Sequence, residues 1–153
     1  GGKRDLEQLA ESLGLDERVI FAGPQPFDRI PLYYQAADAS VLASWREGCP
    51  NVVLESLACG TPVVATDVGS VPMMIQDGRN GRIVPPRDVE QLAKAVDEVL
   101  DMQLPAEQVR GSPAVRSWDD VADEVCAVFE AAVGRSVANP PVGQFSRTVV
   151  EHP

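Results

Sequence analysis

Two glutamates, Glu47 and Glu55, stand either side of Pro50. The residues between them, Gly48-Cys49-Pro50-Asn51-Val52-Val53-Leu54, begin as a tight loop and continue as an apolar helix pattern. Proline is well placed in the first turn of a helix, where its missing amide would have had no partner. The amides that follow, of Asn51 and Val52, are unpaired and carry the positive end of the helix dipole, a ready seat for phosphate. Glu55 lies roughly 7.5 Å further along the axis at 1.5 Å per residue. A ligand with phosphates in the middle, a sugar at one end and a ribose at the other fits that layout. Both carboxylates would then accept hydrogen bonds from hydroxyls. The same spacing also suits two surface carboxylates, Glu47 favouring the dipole and Glu55 solvated.

Other catalytic chemistries find little support. His152, the one histidine, sits next to the last residue, so no mechanism with a histidine base is indicated. Cys49, Cys59 and Cys126 are odd in number and lack CxxC spacing, which argues against a disulfide framework and a zinc site. Cys49 has no nearby His or Lys to lower its pKa. There is no Asp-x-Asp pair for a divalent ion, and no metal is expected.

The chain has 153 residues, is 44% hydrophobic and carries a net charge of −10. That length allows one ordinary domain. The charge excludes the basic footprint of a nucleic-acid binder and disfavours anionic lipid. Most of the acidity falls in residues 88–133, a solvated helical face by its pattern. No apolar run approaches the ~20 residues of a membrane helix. Gly1-Gly2-Lys3-Arg4 lacks the apolar stretch of a signal peptide and starts without Met, so a longer parent chain is expected.

The elements that must position the glutamates follow from periodicity and punctuation. Leu6, Leu9, Ala10 and Leu13 predict a helix over Lys3 to Leu13, ended by Gly14. Val19 to Gly23 reads as a strand, Asp28 to Ala37 as a helix capped by Asp28, and Ala39 to Ala43 as a second strand. Asn51 to Cys59 is a helix between Pro50 and Gly60. Pro62 to Ala65 and Arg82 to Val84 are further strands, with a short helix over Ser70 to Gln76 between them. Helices over Val89 to Leu100 and Trp118 to Val133 complete the pattern. The first would turn Val89, Leu92, Ala93, Val96, Val99 and Leu100 inward, the second Val121, Val125, Val128 and Phe129. Strands alternate with helices, and the strands are continuously apolar. An α/β parallel sheet covered on both faces follows. Residues 134–153 show no periodicity and read as a disordered tail.

The run EGCPNVVLESLACGTPVVATDVG, from Glu47 to Gly69, resembles the retaining glycosyltransferases of the GT-B fold, family 4 above all. Their donor domain carries paired glutamates in the form EGxPxxxxEAxAxGxPVV; Ser56 here replaces an Ala. Val19 to Gly23, Ala37-Asp38-Ala39, residues 78–86 and Trp118 extend the resemblance over about residues 1–133. It implies the C-terminal half of a GT-B fold, a Rossmann-like parallel sheet with helices on both faces. In the family order 3-2-1-4-5-6 the first two strands would be missing.

The activity implied is transfer of a sugar from a nucleotide diphosphate sugar to an acceptor, with retention of anomeric configuration. Glu47 would be the catalytic-site residue at the donor sugar, with Gly48, Cys49 and Pro50 as the floor beneath it. Asn51 and Val52 would meet the distal phosphate through their amides. Glu55 would hold the ribose, and the backbone near Gln25 would face the base. Neither metal nor cofactor is implied. The family's basic side chains for the diphosphate lie upstream of this chain's start, as does the domain that takes a sugar, lipid or other small acceptor. The protein is expected in the cytoplasm or, through that other half, at the inner face of the membrane; no nucleic-acid partner is expected. A non-catalytic nucleotide-sugar-binding module, or a GT-B epimerase or phosphorylase, would share the fold. At Gly69-Ser70-Val71-Pro72-Met73 the family often has Gly-Gly-x-Pro-Glu, so the local loop is expected to differ.

Overall fold

Three short parallel strands in the order β1-β2-β3 organise the molecule: β1 Ser40–Leu42, β2 Val63–Thr66 and β3 Gly81–Val84. The computed structural model describes residues 2–133. Within them run the helices α1 Lys3–Ser12, α2 Ile30–Ala36, α3 Asn51–Cys59, α4 Val71–Met74, α5 Val89–Met102, α6 Ala106–Arg110 and α7 Trp118–Val133. The tail expected over 134–153 lies outside the described residues. The chain divides between Val115 and Arg116 into two compact units, so α7 is taken by itself.

β2 is the middle strand, and all four of its residues are buried. Its register runs Val63 opposite Ser40 and Gly81, and Ala65 opposite Leu42 and Ile83. Val63 and Ala65 join one core with Val53 and Leu57 of α3, Val71 and Met74 of α4, and Val109 of α6. Val64 joins the other, with Val84 of β3 and Ala95 and Val99 of α5. Helices therefore cover both faces, which is why these strands lack a polar alternation. Gly81 is fixed by contact: a Cβ there would collide with the backbone oxygen of Val63.

Punctuation placed several elements as expected. α1 ends before Gly14, at φ +65, and α3 runs from Pro50 to Gly60, at φ +86. Elsewhere the structure corrects the sequence. Val19 to Gly23 forms no strand: Val19 N donates to Leu15 O, Gly23 sits at φ +67, and Ile20 is 88% exposed. A strand needs a neighbour's hydrogen bonds, and no described segment supplies them. Leu6, Leu9 and Leu13 are likewise exposed, lining an open apolar groove with Leu15, Val19 and Phe21. Asp28 does not cap α2. Pro31 has no N–H to return to Phe27, so Phe27–Arg29 close as a tighter 3₁₀ turn, Arg29 N donating to Pro26 O at 2.9 Å.

The inward stripe of α5 is Leu92, Ala95, Val96 and Val99, whereas Val89, Ala93 and Leu100 face solvent. On α7, taken by itself, Val125, Val128 and Phe129 are exposed: a lone helix has no second surface on which to bury its apolar face. α6 is an addition, signalled by Pro105 before it and Gly111 after it.

One buried side chain braces the first core, that of Met74 and Val109. Asn80 is 1% exposed; its Oδ1 accepts from Gln76 N at 2.7 Å, and its Nδ2 donates to Met74 O at 3.2 Å and Ser112 Oγ at 2.9 Å. Replacing it with alanine strands these groups without partners, at a cost of about 1–3 kcal/mol. Asn80→Ala is expected to lower the denaturant midpoint of unfolding accordingly. An unchanged midpoint would mean that the network contributes nothing.

Candidate functional site

In a parallel sheet ligands bind beyond the carboxyl ends of the strands. Here the loop from β1 to α3, residues 43–50, leaves that edge and delivers Glu47 and Gly48 to the start of α3. Pro50 is the buried N-cap residue, extended at φ −76 and ψ 99, and no side chain caps the helix. Val53 N donates to Pro50 O at 3.1 Å, which leaves the earlier amides, of Asn51 and Val52, at an open helix end. Gly48, Cys49, Asn51 and Val52 are exposed, and Glu47 is half-buried.

The loop has no regular structure but is pinned from the next strand. Thr66 Oγ1 donates to Ser44 O at 2.6 Å and also contacts Leu42 O at 3.4 Å. Ser70 N donates to Gly48 O at 3.0 Å. Gly69, at φ +54, lies so close that a Cβ would strike the carbonyls of Glu47 and Gly48. The departure at Ser70 thus keeps the backbone link to the loop. It adds a buried hydroxyl that has no hydrogen-bond partner among the described residues. Met73 on the same short helix is exposed, not a core residue like Met74.

Glu55 faces α2. Tyr34 donates its hydroxyl to Glu55 Oε2 at 3.4 Å, while Thr61 Oγ1 donates to Tyr34 O at 2.6 Å. Ser56 Oγ completes the anchorage by donating to Thr61 O at 3.0 Å. Burial pushes the Tyr34 phenol up, and the Glu55 carboxylate adds to it. The Cys59 thiol at the helix end is also raised, first by burial and then by Glu55, against the lowering effect of Arg110.

Seven of the eight expected residues thus sit on one loop and helix: Glu47, Gly48, Cys49, Pro50, Asn51, Val52 and Glu55. Gln25 is not drawn into this group by any hydrogen bond among the described residues. Its Nε2 donates to Ala22 O at 2.7 Å and closes a local turn. Tyr34 is the residue that sequence reasoning missed; it comes from another helix, and no local pattern marks it. No group of three or more His, Cys, Asp or Glu among the described residues is placed to hold a metal. The large cleft of about 730 Å³, which includes Asp38, Pro62 and Arg110, lies where the strands begin and so away from this edge.

Fold and site together define a class. A parallel sheet covered on both faces, with an open helix N-terminus beyond its strand ends, is a Rossmann-like α/β form. Residues 1–102 match the family described as "Glycosyl transferases group 1". The D-inositol 3-phosphate glycosyltransferase of Acidothermus cellulolyticus is 40% identical over 131 residues, 84% of this chain and 29% of that protein. Sucrose-phosphate synthase from Thermosynechococcus elongatus superposes with a TM-score of 0.68 at 28% identity, over 87% of this chain and 35% of that one. Anabaena HepE in complex with UDP-glucose gives 0.71 at 25%, over 84% and 36%. The chain belongs to the group 1 glycosyltransferases and has their GT-B type of fold. It spans about three-tenths of the length of the curated relatives it matches. None of the helices among the described residues is long and apolar enough to cross a membrane.

The charge relation at Cys59 can be read chemically. A raised thiol pKa leaves less thiolate at a given pH, and the thiolate is the reactive form. Glu55→Gln removes a charge that raises it, so alkylation of Cys59 near neutral pH is expected to speed up; Arg110→Gln is expected to slow it. Mass spectrometry of each cysteine after a timed alkylation follows the change. Equal rates in all three proteins would contradict the arrangement.

Proposed function

We propose that this chain forms the donor-binding side of a retaining glycosyltransferase that takes its sugar from a nucleotide diphosphate sugar. The observation that carries the reading is the uncapped start of α3, with Glu47 in the pinned loop before it and Glu55 in the helix beyond it. The relative solved with UDP-glucose, whose fold this chain shares, supports it.

In this reading the amides of Asn51 and Val52 receive the distal phosphate at the positive helix end. Glu55 accepts hydrogen bonds from the ribose hydroxyls, while Tyr34 holds one of its oxygens from the far side. Glu47 accepts from hydroxyls of the donor sugar, over a floor made by Gly48, Cys49 and Pro50. The backbone near Gln25 serves the base. As the bond to the sugar breaks, negative charge grows on the leaving diphosphate, and preorganised dipoles stabilise it where it forms. Fixed peptide dipoles suit this chain, whose net charge of −10 would repel an anion at long range. The mechanism uses no metal, and a separate domain takes the acceptor. Three free cysteines support a cytoplasmic setting.

The two carboxylates have separable tasks. A hydrogen bond from a hydroxyl to a charged group is worth about 1.5–3 kcal/mol. In the complete enzyme, Glu55→Ala is therefore expected to weaken free nucleotide diphosphate by about ten-fold or more. Glu47→Ala is expected to leave that affinity nearly intact and to cut turnover of the sugar donor. Calorimetry with nucleotide alone, beside a turnover assay, reads both; equal weakening of nucleotide by the two substitutions would refute the division.

Metal dependence is a separate question. Turnover is expected to persist in excess EDTA. Collapse with chelator and recovery with Mn²⁺ would refute the metal-free mechanism.

A further inference from the structure

Thr66 and Gly69–Ser70 hold the β1–α3 loop at Ser44 and Gly48. Between those two points lie Trp45, Arg46 and Glu47, without regular structure. The loop after β3 supplies a restraint there. The Arg87 guanidinium lies over the Trp45 ring, 4.8 Å from its centroid. That is within the range of a cation–π contact.

Arg87 is unusual in its backbone. At φ +67 it occupies the left-handed region, which residues with a side chain seldom adopt and which persists where the surroundings hold it. Its surroundings are stiff on both sides. Pro85 and Pro86 fix the chain leaving β3, and Asp88 caps α5, accepting from Gln91 N at 2.9 Å. Arg87 is thus a side chain on a fixed base that reaches into the loop carrying Glu47. Trp45 remains 67% exposed, so the stacking does not serve to bury it.

We propose that Arg87 is a positioning residue: by clamping Trp45, it fixes the stretch that presents Glu47 to the donor sugar. The inference rests on the donor-site reading above and deepens it. It assigns the β3–α5 loop a part in sugar transfer but none in holding the nucleotide, which α3 and Glu55 bind.

The test uses the complete enzyme in a Trp118→Phe background, so that Trp45 is the tryptophan reported from this chain. Arg87→Gly removes the clamp while leaving a backbone that glycine adopts without strain. It is expected to shift Trp45 emission and to lower kcat with the sugar nucleotide by about ten-fold, the scale of a small misplacement of a reacting group. The Kd of the nucleoside diphosphate that wild-type enzyme binds best, among UDP, GDP, ADP, CDP and dTDP, is expected to stay within about two-fold, since its contacts are elsewhere. Arg87→Lys, which retains a cation for the ring, is expected to recover most of the turnover. Unchanged Trp45 emission, unchanged kcat, or nucleotide affinity falling in step with kcat would each overturn the proposal. Wild-type enzyme that binds none of UDP, GDP, ADP, CDP and dTDP would bring down the donor-site reading itself, and this role with it.

Discussion

The double coverage of β2 is the constraint from which the rest of the sheet follows. A strand that is buried on both faces and paired in parallel on both edges has no freedom of register. Its neighbours must run the same way, so each connection returns across a face and each strand ends at the same edge of the sheet. The loops after β1, β2 and β3 therefore meet at one edge. Thr66, Gly69 and Ser70 can reach the loop before α3 because they leave the strand beside it. The close approach at Gly81 tightens the other edge of β2 in the same way.

At that edge the local field and the overall charge point in opposite directions. The chain is strongly acidic, yet its open helix end offers partial positive charge at short range. Screening confines the long-range repulsion to about 10 Å at 0.1 M salt, whereas a group in contact with the amides feels them directly. Glu55 lies within the same helix, but its carboxylate is directed to Tyr34 on α2. The helix therefore keeps its carboxylate to one side of its positive end.

Much of this site was legible because its signals are local. Pro50 and Gly60 bracket α3, and the apolar pattern between them needs no partner to be read. The paired glutamates and the glycines around them lie in one contiguous run. What could not be read depends on partners far away in sequence. Val19 to Gly23 has the composition of a strand but finds no ladder, and the leucine face of α1 finds no cover. Tyr34 meets Glu55 across 21 residues, which no spacing rule anticipates. Pro31 displaced the start of α2 by removing a donor, a local effect that the capping preference of Asp28 obscured.

The anchorage of the loop at Ser44 and Gly48 has a consequence for the order in which the protein acquires its structure. Both anchors, Thr66 and Ser70, lie 22 residues further along the chain. Closing a loop of that size costs little entropy, because the cost rises only with the logarithm of length. Both anchors lie within the β1–α3–β2 crossover and its exit, so they need no element further along the chain. The β1–α3–β2 unit can thus acquire the backbone of its loop as soon as β2 pairs with β1. The backbone of that loop is set by its own crossover, while α5 serves to cover the other face of β2.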